Sequence, residues 1–309
     1  MMPRVLAQVL TVIGLTTLLG GCGAGRKATK QPDAPRTIAV TYQILGSVVQ
    51  DLVGNAFQVY TVMPNGADVH EWEPSAKEIA ALTHADLIVE NGLGLEGGMA
   101  KSLDTARKAG VPFFTASDHI VVRHVGAGEG IPSDDPDQQA GAPDPHLWTD
   151  PMTVKAVVDA LAADLKQRFG VDLGDRTADL DRRLTALDGE VRAKVAQLPP
   201  ERRKLVTGHE SLGYFAQRYQ LKLVGAVIPS LTSEAESSAG SLGALKKLIR
   251  QNQVSVVFTE LGTPARTVEV LAREAKVKTI SLTTHTLPEG GDYFTFERNL
   301  ADTLIGGLR

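Results

Sequence analysis

Histidines are the residues of this sequence whose type and position most clearly suggest chemistry. The chain contains seven of them, and four stand in loops after predicted strands or before a predicted helix: His70, His146, His209 and His285. In open parallel sheets, ligands bind beyond the carboxyl ends of the strands. Since two of these histidines come from each half of the chain, we predict that they meet in a cleft between the halves. Neutral imidazole is a common ligand of transition-metal ions, so the predicted chemistry is metal binding.

The other three histidines carry weaker signals. His84 lies within or at the end of a predicted helix and is interpreted as a structural or solvated side chain. His119 and His124 flank the start of the stretch 123–145, which is rich in Gly, Asp, Pro and Gln. A loop of this length is usually functional or disordered, and histidines beside its acidic residues could gather cations loosely.

Short β-rich runs alternate with helical patterns in each half of the chain. In the first half, the pattern predicts strands at 37–42, 57–63, 86–90 and 111–115, and helices at 45–53, 75–83 and 96–109. In the second half, it predicts strands at 204–207, 221–227, 254–259 and 279–282, and helices at 212–219, 233–251, 264–275 and 296–308. Strands separated by helices indicate a parallel sheet covered on both faces, which is an α/β fold.

One long helix is predicted between the halves. Apolar residues recur every three or four positions from 175 to 198, and Pro199-Pro200 ends the pattern. At 1.5 Å per residue such a helix is about 36 Å long, enough to cross from one domain to another. We therefore predict two α/β lobes, 36–174 and 199–309, each with a small, mostly parallel sheet, joined by one long rigid helix. The alternative is a surface helix of a single domain.

The N-terminus has the features of an export signal. Arg4 is followed by an uncharged apolar run, which closes on the small residues of LGGC (19–22). A charged start, a short apolar region and a small-residue cleavage site are typical of a signal peptide, here residues 1–21. LGGC also resembles the bacterial lipobox, in which the cysteine is lipidated and becomes the first mature residue. The alternative is an ordinary signal peptide with an incidental cysteine.

The composition of the remaining chain agrees with an exported, membrane-anchored protein. Residues 22–35 are rich in Gly, Ala, Lys and Pro, which predicts a flexible tether between lipidated Cys22 and a body outside the cytoplasm. Cys22 is the only cysteine, so no intramolecular disulfide can form. A net charge of −4 and a pI near 6.0 provide no basic surface for nucleic acid.

Three of the four histidines lie in motifs of a known kind. His70 lies in GADVHEWEP (66–74), His146 in DPHLWTDP (144–151) and His209 in VTGHESLGYF (206–215). These segments resemble the zinc/manganese solute-binding proteins of bacterial ABC importers, and the resemblance extends from about residue 38 to the C-terminus. It implies that each motif supplies one metal ligand. It also implies that the partners are an ABC permease and its ATPase.

The fourth ligand is where this chain departs from the family that it resembles. The family usually places an aspartate after the last strand, whereas the matching segment here reads THTL (284–287). The simplest alignment puts His285 in the place of the aspartate, which gives four imidazoles and no carboxylate around the ion. In the alternative, Asp292, Glu260 or a water molecule completes the site.

The expected ion follows from the ligand set that the resemblance implies. Calcium and magnesium need oxygen-rich coordination, and manganese also favours carboxylate and water, whereas imidazole suits zinc, copper, iron and nickel. Zinc readily takes four ligands in a tetrahedron. Manganese-binding members of the family tend to carry glutamate where this chain has His209. The chain is therefore expected to be a monomeric receptor that captures Zn²⁺ and delivers it to the permease, with manganese as the alternative cargo.

Other classes of function stay open at this point. An exported zinc hydrolase would hold the ion with three protein ligands and an open position for water, which His70, His146 and His209 would provide if His285 did not bind. However, the sequence has no His-Glu-x-x-His helix and no Gly-x-Ser-x-Gly elbow. A receptor for a chelated ligand, an adhesin or a metallochaperone are further alternatives.

Carboxylates are expected near the ion because four neutral ligands leave a charge of +2 buried. The candidates to accept hydrogen bonds from the second ring nitrogens are Asp68, Glu71, Asp144 and Glu260. Since imidazole must be neutral to coordinate, metal affinity is expected to fall as the pH drops towards about 6.5, the reference pKa of histidine.

Overall fold

The computed structural model describes residues 35–130 and 139–309. The predicted signal peptide, Cys22 and the tether up to residue 34 lie outside the described residues, as does part of the stretch 123–145. In the part of the chain that is described, no helix is long and apolar enough to cross a membrane.

A four-stranded parallel sheet forms the centre of the first half. Its strands are β1 (Thr37–Val40), β2 (Gln58–Thr61), β3 (Leu87–Glu90) and β4 (Phe113–Thr115), in the order β2-β1-β3-β4. The helices are α1 (Gln43–Val53), α2 (Ala76–His84), α3 (Ala100–Lys108) and α4 (Pro151–Phe169). Strand β3 is buried along its whole length, as an inner parallel strand between two helical layers should be. Because every pairing is parallel, the four carboxyl ends lie at one edge of the sheet.

The second half repeats the arrangement with two parallel strand pairs. These are β5 (Lys204–Thr207) with β6 (Lys222–Ala226), and β7 (Val256–Thr259) with β8 (Lys278–Ser281), with β5 lying against β7. The helices are α6 (Gly213–Tyr219), α7 (Ala239–Gln251), α8 (Ala265–Ala275) and α9 (Tyr293–Leu308). This confirms the predicted α/β fold with small parallel sheets flanked by helices.

The long helix between the halves is α5 (Gly174–Val195), which at 22 residues is about 33 Å long. It contacts α1 and α4 of the first half as well as α6 and α9 of the second. Its buried side chains join the main hydrophobic core, which also contains residues of both halves. A smaller core lies in the second half between the strands and helices α7 and α8. The predicted lobe boundaries at 174/175 and 198/199 stay a prediction.

Several helix ends differ from those that periodicity predicts, and local hydrogen bonds explain the difference. Helix α7 begins at Ala239 and not at 233, because the Ser238 hydroxyl accepts from the Ser241 N–H and caps the helix there. Helix α9 begins three residues earlier than predicted, because Asp292 accepts from the Thr295 N–H and caps it. Helix α8 begins at Ala265, one residue after the predicted start at 264, and Pro264 is its N-cap.

Candidate metal centre

The four predicted histidines lie in loops at the carboxyl ends of the strands or just before α4, and the structure brings them together. Their exposed fractions are 3% for His70, 0% for His146, 1% for His209 and 3% for His285. One ring nitrogen from each lies within 4.8 Å of the others. All six pairs of rings are in contact, with centroids between 5.0 and 5.9 Å apart. The halves therefore contribute two imidazoles each to one buried cluster.

The other three histidines are exposed and lie outside this cluster. His84 bonds to the Ala80 carbonyl at the end of α2, 2.7 Å away. His119 stacks on Phe114 at a centroid distance of 4.5 Å, and the His124 ring contacts the Val122 carbonyl. These contacts are local, which agrees with the structural interpretation of His84 and adds no metal-binding role for the others.

His70 is positioned through its backbone. The Asp68 carboxylate accepts from the His70 N–H at 2.9 Å, and the His70 carbonyl accepts from the Gly98 N–H at 2.8 Å. Residue 98 must be glycine, because a Cβ there would collide with the carbonyl oxygens of Glu71 and Trp72. The second Asp68 oxygen accepts from Ser233 Oγ at 2.8 Å, so the aspartate of the first motif links the two halves.

Asp144 orients His146. One carboxylate oxygen, Oδ1, accepts from the backbone N–H and from ring Nδ1 of His146, both at 2.9 Å. Because a carboxylate only accepts, the ring carries its proton on Nδ1 and leaves Nε2 free to coordinate. Both side chains are fully buried. The DPH sequence of the second motif is therefore an orienting acid followed by the residue that it orients.

Glu260 connects the two histidines of the second half. Its carboxylate accepts from the Gly208 N–H at 3.0 Å, from Ser211 Oγ at 2.5 Å and from Thr284 Oγ1 at 2.8 Å. Since Thr284 donates to Glu260, its oxygen accepts from Nδ1 of His285, 3.0 Å away. Nδ1 of His209 lies 3.4 Å from Glu260, an electrostatic contact without hydrogen-bond geometry. One buried carboxylate thus favours protons on Nδ1 of both rings.

The Nε2 atoms are the ring nitrogens left for an ion. Those of His146 and His209 are 3.3 Å apart, which matches the edge of about 3.3–3.4 Å of a tetrahedron with Zn–N bonds of about 2.0–2.1 Å. Nε2 of His70 and of His285 is buried without a hydrogen-bond partner among the described residues. An unpaired buried acceptor is costly, so an ion at this point would satisfy both.

Burial favours the neutral form of three of the four imidazoles. Burial, and then the neighbouring His146, lowers the pKa of His70 to about 3. Burial and repulsion from the other imidazoles hold the pKa values of His209 and His285 well below the usual 6.5. At these three rings protons would therefore compete with a metal ion at lower pH than at a free imidazole, and the fall in affinity towards about pH 6.5 stays a prediction.

Of the carboxylates expected around the ion, two contact the rings and two do not. Asp144 and Glu260 contact imidazoles, and burial raises the pKa of Glu260 in the metal-free protein. Asp68 bonds to the backbone of His70, and Glu71 is exposed, so neither accepts from an imidazole among the described residues. Asp292, an alternative fourth ligand, caps α9 and is not in the cluster.

Trp148 is a site residue that the sequence reasoning did not single out. Its indole packs edge-on against the rings of His146 and His285, with centroids 5.4 and 5.6 Å away. Its Nε1–H donates to the Thr284 carbonyl at 2.8 Å, which joins the second motif to the loop that carries His285. The signal was present, since Trp148 lies in the quoted segment 144–151.

A family model and two relatives are similar to this chain over most of its length. The model of a family described as "Zinc-uptake complex component A periplasmic" matches residues 38–307. The manganese ABC transporter substrate-binding lipoprotein PsaA of Streptococcus pneumoniae is 25% identical, with 99% of each chain covered. The zinc-binding lipoprotein AdcA of the same species is 28% identical over 88% of this chain and 56% of that protein.

Solved structures share the fold. The periplasmic zinc-binding protein TroA from Treponema pallidum has a TM-score of 0.75 and 24% identity, covering 89% of this chain and 99% of that one. A manganese-bound periplasmic metal-binding protein from Candidatus Liberibacter asiaticus has a TM-score of 0.76 and 18% identity, with 89% and 100% covered. These similarities confirm the two-lobe α/β architecture.

Proposed function

We propose that this chain, which belongs to the family described as "Zinc-uptake complex component A periplasmic", carries zinc. In this proposal four histidines hold the ion: His70, His146, His209 and His285. Members of the family are substrate-binding proteins of metal ABC importers, which act with a permease and an ATPase. The chain is therefore a metal-binding receptor of this kind. The identity of the ion and of its ligands is the proposal.

One observation carries it: four buried imidazoles, two from each half, bring one nitrogen each within 4.8 Å of the others. No carboxylate belongs to this group among the described residues. The 3.3 Å between Nε2 of His146 and Nε2 of His209 already suits a tetrahedral ion. The longer separations require ring nitrogens to approach one another by up to about 1.4 Å, since a tetrahedral edge is about 3.3–3.4 Å.

The ligand set favours zinc over manganese. Relatives named for each ion are found at similar identity, 25% for PsaA and 28% for AdcA, so similarity alone does not choose between them. Manganese prefers carboxylate and water ligands, whereas imidazole suits zinc. Two buried carboxylates that contact the rings, those of Asp144 and Glu260, would balance the +2 charge of the ion without coordinating it.

The fourth imidazole also argues against the hydrolase alternative. A catalytic zinc keeps one position open for water, and His285 would occupy that position here. We further propose that Cys22 carries a lipid anchor, since PsaA and AdcA are named as lipoproteins, and that the receptor is an extracytoplasmic monomer with lobes at 36–174 and 199–309 joined by the helix predicted at 175–198.

Elemental analysis tests the proposed cargo. The full chain, produced without a histidine tag and stripped of metal, is expected to take up one zinc per molecule from an equimolar mixture of zinc and manganese ions. Manganese occupancy should be negligible, because four imidazoles provide no oxygen ligand. A prevailing manganese content, or no retained metal at all, would overturn the assignment.

A further inference from the structure

We propose that Arg123 is a positioning residue of the metal site: it holds Asp144, which holds His146, and it ties this contact to Glu129. The inference rests on the proposed function, because it concerns the orientation of one of the four proposed ligands. It concerns a residue of the stretch 123–145, for which sequence analysis suggested only loose cation binding.

The geometry is a chain of charged contacts that ends on the imidazole. Arg123 Nη1 donates to Asp144 Oδ2 at 2.9 Å, while the other carboxylate oxygen accepts from the His146 ring at 2.9 Å. The second arginine nitrogen, Nη2, pairs with Glu129. The Arg123 side chain is 8% exposed and that of Asp144 is fully buried, so solvent screens these contacts little.

The backbone around the pair is also held in place. The Asp144 N–H donates to the Arg123 carbonyl and the Val125 N–H to that of Ala142, both at 2.9 Å, so the two ends of the stretch pair with each other. The Arg123 N–H donates to the Tyr214 hydroxyl at 3.0 Å. Glu129 closes its own turn by accepting from the Gly126 N–H at 2.6 Å.

Gly213 shows how closely the second half packs on this pair. A Cβ at residue 213 would collide with the Asp144 carboxylate and with the Arg123 guanidinium. The first residue of α6 therefore leaves the space that the ion pair fills. Since α6 follows the loop of His209, the pair lies between the supports of two proposed ligands, one from each half.

Replacing Arg123 has two opposite effects on metal affinity, one from the loss of its charge and one from the loss of its hydrogen bonds. A positive charge near a dication weakens binding, so removing the charge alone would tighten it. Removing the guanidinium leaves the Asp144 carboxylate free to move, because the hydrogen bond from Arg123 is lost. Loss of a contact that orients a metal ligand typically lowers metal affinity by about 10- to 100-fold. If Arg123 is a positioning residue, the second effect prevails.

The experiment uses the full chain and compares the wild type with Arg123→Met and Arg123→Lys. Zinc affinity is measured by competition with a chromophoric chelator, with Arg298→Met as a matched control. Arg298 likewise donates two hydrogen bonds to carboxylate oxygens, both of Glu190 on α5, at 2.7 and 3.2 Å, and it makes no hydrogen bond or ion pair with the four histidines among the described residues. Arg123→Met is expected to weaken binding by roughly 10-fold or more. Arg123→Lys is expected to lose less, because its ammonium can still donate a hydrogen bond to Asp144, although it lacks the planar guanidinium that also reaches Glu129.

Nitrogen-15 spectra of the histidine rings in the metal-free variants provide a readout that a general loss of stability would not reproduce. We expect the His146 proton to leave Nδ1 for part of the population in Arg123→Met, while the His285 ring keeps its wild-type signals. Unchanged or tighter zinc binding in both Arg123 variants, or a His146 proton that stays on Nδ1, overturns the inference. Failure of the wild type itself to bind zinc overturns the proposed function instead.

Discussion

Replacing either His146 or His209 with alanine is expected to lower zinc affinity by about 100- to 1,000-fold. Structural zinc sites have apparent binding free energies of about 10–16 kcal/mol, and an even share among four ligands is about 2.5–4 kcal/mol each. Competition with a chelator of known affinity measures the change.

Two exposed histidines are the matched controls for these variants. His84→Ala and His119→Ala remove the same side chain from outside the cluster, where the rings make only local contacts. Both are expected to bind zinc as the wild type does. If the alanine variants at 146 and 209 also kept wild-type affinity and stoichiometry, the ion would not bind at this cluster.

Zinc binding is also expected to raise the thermal stability of the folded protein. Zinc at about 1,000 times its dissociation constant adds about 4.1 kcal/mol to the free energy of unfolding, provided that it binds the folded state alone. At about 2–4 °C per kcal/mol for domains of comparable size, the melting temperature should rise by roughly 8–16 °C. Calorimetry with zinc and with a chelator measures the shift, and a variant that lacks His209 should lose most of it.

Three of the histidines should also make the stability of the metal-free protein depend on pH. Burial lowers the pKa values of His70, His209 and His285 in the folded protein, whereas the unfolded chain takes up protons at these residues near pH 6.5. The unfolded state therefore binds more protons below that pH, and the contribution of these rings to stability is lost as the pH falls. Burial raises the pKa values of Glu96 to about 7 and of Glu210 to about 8, which acts in the opposite direction, so the comparison is with His209→Ala. A wild-type protein that lost no more stability in calorimetry than this variant on acidification from pH 7 to 5 would contradict this assignment.

The arrangement explains how a chain without a disulfide can build a closed site from distant segments. Each half supplies two histidines and one buried carboxylate that contacts them, Asp144 in the first half and Glu260 in the second. Hydrogen bonds across the halves, from Ser233 to Asp68 and from Trp148 to the Thr284 carbonyl, hold the loops together. An ion bound at the cluster would provide the partners that Nε2 of His70 and of His285 lack among the described residues.

Much of the fold was predictable because the apolar periodicity of each segment matches the face that the folded protein buries. Strand β5 was predicted with its observed bounds, and α5 within three residues at each end, since apolar periodicity decides which faces are buried. The starts of α7 and α9 were missed because capping hydrogen bonds of Ser238 and Asp292 set them. Periodicity carries no information about such caps.

At the site, the four histidines were predictable from the sequence, whereas the contacts that support them were not all predictable. The four histidines could be selected because each lies beyond a strand or in a recognisable motif, and the structure does bring them together. The part played by Arg123 could not be foreseen, since it lies in a stretch without periodicity and meets Asp144 only through the pairing of the two ends of that stretch. The lowered pKa values of His70, His209 and His285 also follow from burial in the folded protein and not from residue type.

X-ray absorption at the zinc edge tests the central claim most directly. Four imidazole nitrogens at about 2.0–2.1 Å from the metal, with the outer-shell scattering of four rings, are the result that this account predicts for the zinc-loaded chain. A spectrum that requires an oxygen ligand in place of a ring, or fewer than four imidazoles, would contradict it.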